Sequence, residues 1–301
     1  MHRFPAVVAT VALSLSACTG QSSETTVTSG VAPPGGESST TTGLGSPVDR
    51  TTVVTILDPP GTDAMVERVV DGDSLLVLVE GEPDEIRLIG INAPEFDECG
   101  ADEARITLGE AQLFESVTLV GDRRDQFGRR LAYLFAGGED VGLGLVGGGR
   151  AIATSTDHPG RDDYITAEGQ ARAEGFGLWA PAACGRATNA AIEITFVRFD
   201  PPGPDGDDLG EEWLEIVNAG ERAADLSGWT LRDESSANRY EFPEGSRIDP
   251  GFALVIATGC GEDAPQRLHW CADEPVWNNG GDMAMLLDEH GNVVSMRRYR
   301  G

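Results

Sequence analysis

The stretch from Val69 to Glu95, VVDGDSLLVLVEGEPDEIRLIGINAPE, constrains this chain more than any other. Three apolar, β-branched runs are divided by two turn signals, Asp71-Gly72-Asp73 and Gly81-Glu82-Pro83-Asp84. That pattern predicts a three-stranded antiparallel meander. The meander sets Asp73, Arg87 and Glu95 at strand ends, where two carboxylates and a guanidinium can converge on one phosphate. Asp125-Gln126-Phe127-Gly128-Arg129 precedes a further strand, 131–135, and brings a second arginine.

The flanking residues build outward from this meander. Residues 53–57 read as an edge strand or lead-in, and 65–70 as the firmer first strand. Ala104, Leu108, Ala111 and Phe114 recur at helical spacing, which predicts a helix over 101–116. Strands follow at 117–120 and 131–135, then a short helix at 141–146 that three glycines weaken at its end. A longer helix, 162–174, leads to Trp179. Five strands with interleaved helices fit a small Greek-key barrel of the OB type.

After a boundary at 181–191 the pattern changes to short alternating runs: Ile192/Ile194/Phe196, 213–217, Trp229/Leu231, 252–257 and 283–287. Regular short strands with turn signals between them predict a β-sandwich. Trp213 and Trp229 are expected in its core. The chain therefore reads as mainly β, with two domains.

The pieces VVDGDS, RLIGINAPE, DQFGRRLAY, LGLVGGGRA and FGLW, in this order, resemble the signatures of the staphylococcal nuclease (thermonuclease) family. The resemblance covers residues 51–184 and implies an OB-fold five-stranded barrel with helices. It also implies a calcium-dependent phosphodiesterase. Asp73 matches a calcium-binding aspartate, Glu95 the glutamate that orients or deprotonates the attacking water, and Arg87 and Arg129 the pair that grips the phosphate. Arginine suits that task because its planar fork meets two phosphate oxygens and keeps its charge.

Three departures from the family pattern matter. Its second calcium carboxylate is Asn92 here, which lowers the ligand charge that sets affinity, so calcium is expected to bind weakly. The neighbouring ligand position is Ala93, with only its backbone carbonyl to offer. The tyrosines that flank the nucleotide in the family align with Ser155 and Asp157, so stacking worth about 1–3 kcal/mol per base is missing. Arg123, Arg124 and Arg130 are candidates to grip substrate instead; the plainer reading is that they balance Asp122 and Asp125. His158 reads as an exposed loop histidine.

Residues 190–301 carry EEWLEIVN, DLSGWTL, IDPGFALVI and DEHGNVV, which resemble a lamin tail domain. That resemblance implies an immunoglobulin-like β-sandwich with an unknown partner.

Charge limits what the chain can hold. It has 50 acids against 22 bases, a formal net charge of −28, and every base is arginine. High-GC coding or an acidic, salt-adapted surface would each explain the missing lysine. The surplus runs through both halves: residues 62–184 carry 24 acids and 10 arginines, and residues 190–301 carry 22 and 9. Such a field repels nucleic acid at long range and argues against a tight, general DNA binder. A nuclease here needs a local arginine cluster, a bound cation or screening by salt.

Leu15-Ser16-Ala17-Cys18 follows a short apolar segment and resembles a bacterial lipobox. Residues 1–18 are then a lipoprotein signal peptide and Cys18 the lipidated residue; a plain secretory signal is the alternative. The Ser/Thr/Gly/Pro-rich residues 19–50 read as a disordered tether. The other four cysteines then pair evenly in an oxidising compartment, Cys99 with Cys184 and Cys260 with Cys271. The first bridge would staple the helical end onto the barrel mouth, worth about 3–5 kcal/mol in chain entropy. Metal binding is the rival at both pairs, with His269 beside the second. Asp205-Gly206-Asp207-Asp208 with Glu211-Glu212 reads as a solvated acidic loop, with calcium as the other possibility.

The expectation is a cell-membrane lipoprotein facing outside the cytoplasm that cuts DNA or RNA with little sequence preference, its tail domain an adaptor. The alternative is a nuclease-like scaffold without hydrolase activity.

Overall fold

The computed structural model describes residues 61–301 apart from 111–115, 204, 205, 207 and 236. The expected signal peptide with Cys18, the expected tether and the expected edge strand or lead-in at 53–57 lie outside the described residues, as do Ala111 and Phe114.

Five strands form the barrel: β1 (Thr62–Val69), β2 (Ser74–Val79), β3 (Glu82–Leu88), β4 (Val117–Arg124) and β5 (Arg130–Ala136). They lie in the order β3-β2-β1-β4-β5, and β5 returns to pair in parallel with β3, which closes the barrel. Closure gives each strand one face toward the barrel interior. Leu75, Val77, Ile86, Leu119, Ala132 and Leu134 all point inward and are fully buried. A leucine or isoleucine buried in this way contributes about 1.5–3 kcal/mol.

Three helices pack around the barrel: α1 (Ala101–Gly109), α2 (Val141–Gly147) and α3 (Arg161–Glu174). Helix α2 begins on an Asp140 cap whose carboxylate accepts the Leu143 N–H. The second turn of the meander is tighter than expected. Only Glu80 and Gly81 form it, both with positive φ, and Pro83 lies inside β3 opposite Leu78. Strand β4 runs on to Arg124, past the apolar stretch that suggested an end at Val120.

The tail domain is the expected sandwich. One four-stranded sheet holds Ile192–Arg198, Trp213–Asn218, Ala253–Ala257 and Arg267–His269; the other holds Thr230–Arg232, Arg239–Glu241, Gly281–Leu287 and Val293–Arg300. Trp229, Trp277, Leu214, Phe242 and Leu286 fill the space between them. Trp213 departs from expectation. It lies half-buried on the outer face against Phe196, ring centroids 5.2 Å apart, because the inward positions of its strand fall on Leu214 and Ile216.

Both disulfides are present, Cys99–Cys184 and Cys260–Cys271. His269 hydrogen-bonds Asp263. Glu212 is buried and accepts from Thr258 Oγ1 and the Val276 N–H, so it is a structural acceptor and not a solvated loop acid.

Barrel and tail belong to one compact unit. Strand Gly281–Leu287, an inner strand of its sheet, is buried at all seven positions, which the outer face of a free sandwich would not allow. Ala284 and Leu286 face the tail core, while Met283, Met285 and Leu287 join Ile152 of the barrel domain and Trp179 in a separate apolar cluster.

Candidate active site

The site begins with the turn at Asp71-Gly72-Asp73. The Asp71 carboxylate accepts the Asp73 N–H at 3.0 Å, an Asx turn that turns the Asp73 side chain inward. Gly72 is required by close approach: a Cβ there would lie 2.6 Å from the Ala93 Cβ and 2.7 Å from the Ala104 Cβ. Ser74 pairs with Arg87 across β2 and β3, so the register brings Arg87 beside Asp73.

Arg87 then fills the space between Asp73 and Asn92. Its Nη2 lies 3.0 Å from Asp73 Oδ2 and donates to Asn92 Oδ1 at 2.8 Å. Its Nη1 donates to the Leu88 and Ile91 carbonyls, both at 2.9 Å. The remaining acceptors of Asp73 are used too, by Ala93 N–H at 2.8 Å and Ser74 Oγ at 3.0 Å. Burial pushes the Asp73 carboxyl up to about 6; Arg87 pulls the other way and Asp71 adds to the rise.

Asn92 sits in a two-residue strand, Ile91–Asn92, paired with Ile152–Ala153. Its Nδ2 donates to the backbone carbonyl of Glu234, in the tail domain. Three residues on, Glu95 is exposed, and its N–H donates to Glu98 Oε2 at 2.6 Å.

Arg129 precedes β5, two positions before Leu131, the register partner of Arg87. Its Nε pairs with Asp125 Oδ2 at 2.8 Å and its guanidinium lies 5.5 Å from the Phe127 ring centroid. The other three arginines separate. Arg123 is exposed. Arg124 and Arg130 both reach Asp84, at 2.9 and 3.8 Å, and Arg130 also donates to the Gly121 carbonyl and Thr62 Oγ1. Arg130 thus ties barrel strands together. The acid it meets is Asp84, where sequence proximity had pointed to Asp122 and Asp125.

A calcium ion takes about six to eight oxygen ligands, several of them carboxylates. Asp73 supplies one carboxylate and Asn92 a neutral amide, and the Arg87 guanidinium already occupies both. As arranged, this donor set does not fit the ion, and no chemical step is derived through it. No cluster of three His, Cys, Asp or Glu that could hold a metal occurs among the described residues.

His158 is half-buried and not loosely exposed. Its Nδ1 lies 2.7 Å from the Tyr133 hydroxyl, and its ring packs edge-on against Tyr164. Burial and the nearby Arg161 lower its pKa against the opposing pull of Asp157, which favours the neutral ring.

Several residues around the site carried no signal in the sequence, because their partners lie in the other domain. Glu234 Oε2 accepts the Ser155 N–H at 2.8 Å. Arg298 donates to Glu168 Oε2 at 2.8 Å, the Ala153 carbonyl at 2.6 Å and Ser155 Oγ at 3.3 Å. Arg232 and Arg239 both meet Glu98 Oε1. Ser155 is 2% exposed and covered by these tail residues.

Comparison with known proteins agrees with this architecture. The model of the staphylococcal nuclease homologue family matches residues 85–181, and that of the lamin tail domain matches residues 186–301. The thermonuclease of Staphylococcus intermedius is 30% identical over 118 residues, 36% of this chain and 69% of that protein. An uncharacterized endonuclease of Haemophilus influenzae is 30% identical over 116 residues, 38% of this chain and 65% of its own length. Endonuclease YncB of Bacillus subtilis is 29% identical over 130 residues, 38% of this chain and 60% of its own. The chain therefore spans less than two thirds of the Haemophilus and Bacillus relatives. With the barrel closed as the fold requires and a lamin tail domain following it, the chain belongs to the staphylococcal nuclease family.

Proposed function

We propose that this protein is a phosphodiesterase that cuts nucleic acid with little sequence preference. The observation that supports it most is the pairing of β3 with β5. That pairing sets Arg87, on β3, opposite Leu131, two positions after Arg129 in the turn that leads into β5, with Glu95 on the loop that leaves the same meander. In this reading Glu95 takes a proton from a water as its oxygen bonds to phosphorus. The bond from phosphorus to the 5′-oxygen breaks in line and that oxygen takes a proton from solvent water, which leaves a 3′-phosphate and a 5′-hydroxyl. The two guanidiniums take up the charge that develops on the phosphoryl oxygens. Arg87 releases Asp73 or Asn92 as it does so, since both now hold it. Arg123 is the remaining exposed candidate for grip along the backbone.

The calcium dependence that the family resemblance implies belongs to the same reading, as an arm of its test. Anchoring through Cys18 and a place outside the cytoplasm belong to it as well. Two disulfides suit an oxidising compartment. Loss of labelled palmitate from the protein in Cys18→Ala would support the anchor.

A scaffold without hydrolase activity is the second reading. The Arg87 contacts to both Asp73 and Asn92, and the covered Ser155, favour it. A plasmid-nicking assay with calcium and with chelator separates the two. Nicking by the wild type that is lost in Glu95→Gln supports the enzyme; equal silence in both supports the scaffold.

A further inference from the structure

The loop that carries Glu95 is held from outside its own domain. Glu98 has one carboxylate oxygen on each side of the domain boundary. Oε2 accepts the Glu95 N–H at 2.6 Å, and Oε1 meets Arg232 Nη1 at 2.5 Å together with Arg239 Nη2. Arg232 and Arg239 are register partners on adjacent strands of the tail sheet. Two guanidiniums side by side repel one another, and an acid between them relieves that repulsion. Glu98 is that acid. The Arg232 side chain is 5% exposed and that of Glu98 11%, so water screens the contact little.

A second tail contact lies on the other side of Glu95. The Glu234 carbonyl accepts from Asn92 Nδ2, while the Glu234 carboxylate accepts the Ser155 N–H. The Cys99–Cys184 bridge closes the far end of the loop. Glu95 thus lies between Asn92 and Glu98, and tail residues hold both.

We propose that Arg232, supported by Arg239, is a positioning residue for hydrolysis: from the tail domain it fixes Glu98, and through Glu98 the backbone of Glu95. This rests on the phosphodiesterase reading above. It makes the tail domain part of the frame of the site, where a non-catalytic adaptor was expected. A displacement of about 1 Å in a reacting group lowers rates by about 100-fold, so a clamp on the loop acts on turnover and not on substrate binding.

The test uses the full chain, with Arg232→Ala, Arg232→Lys and Arg239→Ala. Steady-state cleavage of an oligonucleotide is read beside amide hydrogen exchange at Glu95. Arg232→Ala is expected to lower kcat by about 10- to 100-fold and leave KM within about twofold. Arg232→Lys, which keeps a cation on Glu98, should recover most of the loss, and the more exposed Arg239→Ala should show a smaller drop of the same kind. Exchange at the Glu95 amide should quicken in Arg232→Ala while the β2 and β3 amides keep their protection.

Unchanged or increased kcat overturns the proposal, an increase meaning that the tail shields the site. A rise in KM alone also overturns it, since Arg232 would then touch substrate. If the wild type does not cut, the hydrolytic reading fails by itself and exchange still decides the clamp: lost Glu95 protection supports it, and unchanged protection overturns it. Should Arg232→Ala fail to fold, the same two readouts on Arg239→Ala decide.

Discussion

At the scale of single residues, the site is a competition between a fixed cation and a mobile one. Arg87 is bound by two backbone carbonyls, an amide oxygen and a carboxylate. Arg87→Ala would leave Asp73 buried without its partner and should cost about 3–5 kcal/mol of stability. Urea unfolding measures it, and a loss under 1 kcal/mol would mean that Asp73 is held by Ala93 and Ser74 alone. Asn92→Asp acts in the opposite sense. A second carboxylate beside Asp73 would compete for Arg87 and return charge to the oxygen set, so the calcium needed for half-maximal cutting should fall by about 10-fold or more. A calcium titration of nicking checks this, and an unchanged requirement places Asn92 away from the ion. Asp73, Arg87 and Asn92 were legible because turn chemistry and strand ends are local. The partner of Asn92, 142 residues away, was not.

Among elements, the strands of both domains could be read wherever one face is wet. Strand β5, with buried and half-buried positions alternating, is such a case. GDMAMLL at 281–287 is the informative exception. Its run of apolar residues says that both faces are covered, but the composition is silent about what covers the second. Ile152 and Trp179 do. Ile152 itself lies in a two-residue strand, too short for any periodicity to show. Met285→Ala should therefore cost about 2–5 kcal/mol, the loss typical of a core position, although on an isolated sandwich it would be a surface change. Chemical denaturation of the full chain measures the effect, and a change below 1 kcal/mol would deny that this face is buried.

For the whole molecule, the boundary between the domains sets how stability follows pH. Burial pushes Asp282 up to about 6, with Asp233 adding to the rise and the N–H groups of Asn278, Met283 and Glu234 opposing it. Burial and Asp282 together push Glu234 up to about 7 against Ser155 and Arg298. A carboxyl whose pKa rises on folding adds stability that is complete below its unfolded value, here 3.8 and 4.5. That stability is lost as pH climbs through the folded one. Glu98 works the other way. Burial raises it, but Arg232, the Glu95 N–H and Arg239 outweigh burial and lower it, so its contribution is present above 4.5 and lost in acid.

Together these set a stability maximum near pH 4.5, with a decline from there to about pH 7 as Asp282 and Glu234 ionise. The net charge of −28 would produce a decline of the same sign through self-repulsion. Salt separates the two causes, because it screens exposed charges and leaves buried ones nearly untouched. In chelator at about 0.5 M salt, where the Debye length falls to about 4 Å, the melting temperature should still drop between pH 5.5 and 8, and Glu234→Gln should flatten the drop. A profile that becomes level in salt would assign the whole effect to surface repulsion and none to the carboxylates at the domain boundary.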